Sequence, residues 1–141
     1  MADTLPLRLL AQETGDLPVV SAALQDAICR VGDITFEDRT RQLTTVFNRF
    51  RWEVGKPQRV RSALQIGGVL EVQARAIRRD AGDAILELLS IGFEPGEAPG
   101  GVIMLSFAGG GDLRVTVECL DAVLVDVSAP WPTPRTPHHD L

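Results

Sequence analysis

The stretch FNRFRWE, residues 47–53, holds the residue types in this sequence that are best suited to binding a charged ligand. Side chains of a β-strand alternate between its two faces, so Arg49 and Arg51 would share one face and Asn48 would lie on the other. We expect the arginine face to be exposed and the Asn48 face, which also carries two aromatic residues, to be apolar. A guanidinium binds carboxylate or phosphate through two parallel hydrogen bonds. The stretch therefore predicts an anion site.

Asn48 is the polar exception on its face of the predicted strand. A buried amide without hydrogen-bonding partners costs about 1–3 kcal/mol. We therefore expect Asn48 to bind a neighbouring backbone group or to line a pocket.

A structural role for the same arginines is the alternative interpretation. Arg49 and Arg51 could form cross-strand ion pairs with acids such as Glu71 or Glu87. They would then stabilise the sheet and bind no ligand. The sequence leaves both interpretations open.

Charge is unevenly distributed along the chain. Ten basic and two acidic residues lie between positions 39 and 79, a net charge of +8, although the whole chain carries −5. If this segment folds into one surface, Arg49, Arg51 and Arg75 would form an arginine-rich sheet face for a small anion or an acidic protein, and Asn48 is a further candidate binding residue. The acidic remainder would repel a long polyanion, which makes nucleic acid an improbable partner. Opposite charges on one chain also favour homo-oligomers.

Few residues are suited to catalysis. The histidines, His138 and His139, lie at the end of a proline-rich segment, so we expect neither a metal site nor a cofactor. Cys29 and Cys119 form no CxxC pair, and we expect both to be small buried hydrophobic residues. A binding or protein-interaction module without catalytic residues is the leading hypothesis.

A small enzyme is the rival hypothesis. Asn48 and the neighbouring arginines would stabilise negative charge, and a carboxylate such as Glu118 would act as the base. Asp121 and Asp126 could share that site, although a solvated strand edge is the simpler interpretation. The glycines of GGGD, residues 109–112, lack the lysine and following helix of a phosphate loop and predict a hairpin turn instead.

The elements that would position these residues are mostly strands. Residues 16–28 have helical spacing, with Asp16 as N-cap and Pro18 in the first turn. Alternation and turn residues predict the strands 5–10, 34–36, 43–53, 69–77, 84–93, 102–108, 113–119 and 120–127, with a bulge or turn near 120–121. We expect hairpins that begin near residues 28, 69 and 102.

These elements indicate an α+β fold, a mostly antiparallel curved sheet or partial barrel of six to eight strands with one N-terminal amphipathic helix. Residues 1–128 would form one globular domain, and residues 129–141, with four prolines, a tail. No apolar run reaches the roughly 20 residues that span a bilayer. The start of the chain does not resemble a signal peptide, and the cysteine content indicates a reduced protein. We therefore expect a cytoplasmic location.

Three blocks of the sequence resemble a known family. They are LRLLAQETGDLPVVSAALQDAICRVGD, FNRFRWE and FAGGGDLRVTVECLDAVLVD, in this order. The likeness is to the bacterial domain-of-unknown-function family 2948 and extends from about Leu7 to Trp131. It implies a single-domain cytoplasmic bacterial protein, and it carries over no catalytic residue.

Overall fold

The computed structural model describes residues 5–134, 136 and 137. This part of the chain contains one short α-helix and eleven strands. The elements are β1 (Arg8–Ala11), α1 (Leu17–Ala23), β2 (Ile28–Arg30), β3 (Ile34–Glu37), β4 (Gln42–Phe50), β5 (Gln58–Ile66), β6 (Val69–Arg75), β7 (Ile85–Pro95), β8 (Gly101–Phe107), β9 (Asp112–Val117), β10 (Ala122–Asp126) and β11 (Trp131–Pro132).

The helix is shorter than the sequence predicts, with seven residues in place of the thirteen from 16 to 28. Pro18 lies in its first turn, as expected, and the Asp16 carboxylate accepts hydrogen bonds from two preceding backbone amides at 3.1 Å. The chain leaves the helix and turns at Asp26, which has a positive φ of 63°. Ile28, which was predicted to end the helix, is instead the first residue of β2.

The strands form a mostly antiparallel sheet in the order β1-β10-β5-β4-β2-β7-β8-β9-β6, with β3 on β4 and β11 on β5. The predicted number of six to eight strands is wrong, because β2, β5 and β11 were not anticipated. The antiparallel character and the N-terminal position of the helix are confirmed. The hydrogen-bonded path is open, with β1 and β6 at its two ends.

Two bent strands run side by side through the sheet. Strand β5 continues into β6 across Gly67 and Gly68, which has a φ of 63°, and β9 continues into β10 across residues 118–121. Accordingly, β10 pairs with β5 and β9 pairs with β6. The predicted hairpin between β6 and β7 is therefore wrong, since β7 pairs with β2 and β8. The predicted break near residue 120 is confirmed.

The hydrophobic core contains side chains from both arms of these bent strands. Leu64 and Ile66 of β5 belong to the same buried cluster as Leu113 and Val115 of β9. The inward orientation predicted for alternate residues of β9 is thus confirmed. The β8–β9 hairpin is also confirmed, and positive φ angles at Gly109 and Gly110 explain the glycines in its turn.

The start of the predicted tail lies on the sheet. Trp131 and Pro132 pair with Arg59 and Gln58 of β5, and the Thr133 amide donates a hydrogen bond to the Pro57 carbonyl at 3.2 Å. His138 and His139 lie outside the described residues.

Candidate functional site

The two central arginines of FNRFRWE lie inside the protein. The Arg49 side chain is 0% exposed and that of Arg51 is 3% exposed. From Gln42 to Arg49 the odd-numbered residues of β4 face the core, where Leu43 and Phe47 pack, and even-numbered residues such as Asn48 face outward; Phe50, at the end of the strand, is also buried. The prediction that Arg49 and Arg51 form an exposed face is therefore wrong, and the two faces of the strand are interchanged.

Arg49 is the centre of a buried ion-pair network that also contains Glu53, Ser62 and Asp126. Its Nη1 and Nη2 donate to the two Glu53 oxygens at 3.0 and 2.8 Å. Its Nε and Nη2 donate to the two Asp126 oxygens at 3.0 and 2.9 Å. Asp126 also accepts hydrogen bonds from the Ser62 hydroxyl at 2.6 Å and the Leu7 amide at 2.8 Å. The alternative interpretation of ion pairing thus holds for Arg49, but its partners are not Glu71 or Glu87.

The network keeps its members charged. Burial alone would raise the pKa of Asp126, but hydrogen bonds from Arg49, Ser62 and the Leu7 amide outweigh it and lower this pKa. Burial would also raise the pKa of Glu53, but the hydrogen bond and positive charge of Arg49 outweigh it, so this pKa is lowered as well. Burial would lower the pKa of Arg49, but the two carboxylates raise it. Groups held in one charge state and fully hydrogen-bonded are suited to a structural role rather than to proton transfer.

Arg75 lies elsewhere, at the β6–β9 edge of the sheet. Its Nε donates a hydrogen bond to Asp112 at 2.8 Å and its Nη2 donates one to the Gly110 carbonyl at 3.2 Å. Arg75 therefore stabilises the glycine turn between β8 and β9. Asn48, Arg49, Arg51 and Arg75 are therefore not brought together on one face. Because Arg49 and Arg51 are buried and Arg75 is paired with an acid, the +8 segment does not form the single cationic surface that was predicted.

A polar groove of about 450 Å³ lies on the outward side of β2, β4 and β5. We call it the outer groove. Its lining residues are Ile28, Cys29, Arg30, Asp33, Val46, Asn48, Arg61 and Ile85. Asn48 thus lines a pocket, which is one of the two roles that its sequence context predicts.

Strand register brings the polar residues of the outer groove together. Ile28, Asn48 and Arg61 are directly opposite one another on three neighbouring strands, so their side chains share the outward face. Arg30 lies two residues along β2 and therefore on the same face. Both arginines are exposed, and no described residue forms an ion pair with either side chain. Among the described residues that line the groove, Asp33 is the one with a carboxylate.

Arg59 also lies on this side of the sheet, but its surroundings differ. Its Nη1 donates to the Asn48 carbonyl at 3.3 Å, and it lines a neighbouring pocket together with Asp26 and Glu87. Burial lowers the pKa of Arg59, and the two carboxylates act in the opposite direction. Arg59 is therefore influenced by two carboxylates, whereas Arg30 and Arg61 share their groove with the single carboxylate of Asp33.

The two cysteines have different environments. Cys29 is 4% exposed, as predicted, and burial with help from Asp33 raises its pKa to about 12. Cys119 is exposed, which contradicts the prediction that it is buried, because the chain bends after β9 and takes this side chain out of the inward alternation.

We expect a thiol reagent to modify one cysteine per native chain. At pH 8 only on the order of one in ten thousand Cys29 thiols would be ionised, and the thiolate is the reactive form. Cys119→Ser should therefore abolish rapid labelling with an aromatic disulfide reagent, whereas Cys29→Ser should leave it unchanged. Rapid labelling of two thiols in the native chain would contradict this expectation.

The residues of the rival enzyme hypothesis do not meet in the outer groove. Glu118 lies at the bend between β9 and β10, where its side chain packs near Gly68, and it does not line the groove. Asp126 belongs to the buried ion-pair network. Within the described ranges, no group of three or more histidine, cysteine, aspartate or glutamate side chains is arranged to hold a metal ion.

None of the helical segments described here has the length and apolarity that crossing a bilayer requires.

Comparison with known proteins identifies the family. Neither the curated proteins nor the solved structures contain a match to this chain. The family model described as "Protein of unknown function (DUF2948)" matches residues 7–139, and the chain therefore belongs to this family.

Proposed function

We propose that this protein is a cytoplasmic, non-catalytic binding module that holds a small anion in the outer groove. One observation carries the proposal. Arg30 and Arg61 flank Asn48 in a groove of about 450 Å³, and neither guanidinium has an ion-pair partner among the described residues. Two unpaired cations against the single carboxylate of Asp33 leave the groove with a net positive charge.

The chemistry of the lining favours a carboxylate or phosphate ligand. A guanidinium can donate two parallel hydrogen bonds to either group, and the Asn48 amide can donate further ones without adding charge. Ile28, Val46 and Ile85 supply an apolar wall for the rest of the ligand. The volume lies in the lower part of the range of about 300–1,000 Å³ that is typical of small-molecule pockets.

The shape of the site favours a small anion over an acidic protein. A stable protein–protein contact buries roughly 800 Å² on each partner, far more than the walls of such a groove provide. The rival enzyme hypothesis draws no support from this groove. Glu118, the base of that hypothesis, lies elsewhere, and the raised pKa of Cys29 keeps the thiol in the groove lining protonated.

Calorimetric titration with inorganic phosphate and with citrate at low salt tests the proposal. We expect one site per chain, with Arg30→Gln and Arg61→Gln each weakening binding about tenfold, since a charge-assisted hydrogen bond is worth about 1.5–3 kcal/mol and exposure reduces that value. Binding should also weaken at 0.5 M salt, where the Debye length falls to roughly 4 Å.

Arg114→Gln is the matched control. Arg114 lies on β9, 3.6 Å from Glu94 and outside the outer groove, so this variant should bind both anions as the parent does. Absence of binding to either anion, or equal affinity in all three variants, would refute the assignment of the groove.

A further inference from the structure

A second concavity, of about 490 Å³, has a different chemical character from the outer groove. We call it the apolar cleft. Its lining residues are Val31, Gly32, Ile34, Phe36, Leu43, Val72, Ala74, Ile77, Arg79 and Leu113. The two sites share no lining residue.

The cleft lies between two strands that each have one edge unpaired by any residue the structure describes. Strand β3 contributes Ile34 and Phe36 and pairs there with β4 alone, and β6 contributes Val72 and Ala74 and pairs with β9 alone. Leu43 and Leu113, which lie in the same lining, belong to the hydrophobic core. The cleft therefore gives an apolar ligand direct access to the core.

The described lining of the cleft contains one charged residue, Arg79. Arg79 is exposed, and no side chain in the described ranges forms an ion pair with it. The adjacent Arg78, in contrast, lies 3.5 Å from Asp80. Asp80 thus forms its ion pair with Arg78, and a ligand with one negative charge would supply the partner that Arg79 lacks.

We infer that the apolar cleft binds a single-chain aliphatic carboxylate, with the hydrocarbon chain against Leu43 and Leu113 and the carboxylate on Arg79. An extended peptide that adds a strand fits less well. Strand β3 has only four residues, and β6 carries the charged side chains Glu71 and Arg75, which are features that protect sheet edges against strand addition. This site is independent of the proposed function and adds a second ligand class to it.

A chain-length series tests the inference directly. Each methylene group that leaves water is worth roughly fourfold in affinity when fully buried. Calorimetric titration of the full chain with hexanoate, octanoate and decanoate should therefore show binding that tightens by about tenfold for every two carbons. Decanol, which lacks the charge, should bind about tenfold more weakly than decanoate.

Two variants locate the ligand. Ala74→Trp places a large side chain on the wall of the cleft and should abolish decanoate binding, and Ala74 is exposed enough for the fold to tolerate the change. Arg79→Gln should reduce decanoate affinity to that of decanol. Arg78→Gln, at the adjacent and ion-paired residue, should leave it unchanged.

The outcome also separates this cleft from the outer groove. Arg61→Gln should weaken phosphate binding and leave decanoate binding intact. Decanoate that binds Ala74→Trp as tightly as the parent, or affinity independent of chain length, would overturn the inference. Failure of the phosphate experiment would not affect it.

Discussion

Replacing Arg49 by methionine should lower the free energy of unfolding by about 3–5 kcal/mol, which is a large part of the 5–15 kcal/mol that stabilises a typical domain. Methionine has a similar length but no charge, so Asp126, whose side chain is 2% exposed, would be left buried without its counter-ion. Glu53 would suffer less, because 38% of its side chain is already exposed. Urea denaturation followed by circular dichroism measures the effect.

Arg61→Met is the matched control for this prediction. Arg61 lies on the neighbouring strand β5 but faces outward, and its replacement should change stability by no more than about 0.5 kcal/mol. Adding Asp126→Asn to Arg49→Met should recover part of the lost stability, because it removes the isolated buried charge. A cost for Arg49→Met as small as that of Arg61→Met would show that Arg49 is not the centre of a stabilising network.

Asp126→Asn should lower the free energy of unfolding by about 1.5–3 kcal/mol at neutral pH, the usual worth of hydrogen bonds to a charged group. The loss should depend on pH. The folded state lowers the pKa of Asp126 below the value of about 3.9 found in unfolded chains, so its contribution is fully present above pH 4 and disappears as pH falls through the folded pKa. Urea denaturation between pH 2.5 and 7 should show parent and variant converging in acid.

Asp80→Asn provides the comparison for the acid experiment. Asp80 and Arg78 form an ion pair with side chains that are 78% and 79% exposed, so its removal should have little effect at any pH. A constant difference between the parent and Asp126→Asn across the whole pH range would contradict the assignment of a lowered pKa to Asp126.

Local sequence signals located most of the strands correctly. The alternation of apolar and polar residues identified β9, and the glycines after Phe107 identified the turn that joins β8 to β9. Strand β5 was missed, although Arg59, Val60, Arg61 and Ser62 alternate between the outward and inward faces. Strand β2 has only three residues, which is too short for any periodic signal. These short or highly charged segments are strands because their neighbours pair with them.

The faces of β4 show where sequence reasoning fails. Counting apolar side chains places Asn48, Phe50 and Trp52 inside, whereas the structure buries Phe47 and Arg49, and of the first three it buries only Phe50. A shift of one residue exchanges the two faces completely, because side chains alternate with a period of two. The decisive partner, Asp126, is 77 positions away from Arg49, and no local pattern can indicate that the two will meet.

The sequence by itself determined the family, the mostly antiparallel α+β architecture, the glycine turn between β8 and β9, and the presence of arginine chemistry, because these depend on residue type and short-range periodicity. Only the tertiary structure decided which arginines face solvent. A buried guanidinium needs carboxylate partners, and Arg49 finds one in the nearby Glu53 and one in the distant Asp126, whereas Arg30, Arg61 and Arg79 are exposed. Strand register, which arises from packing across the whole sheet, makes that selection.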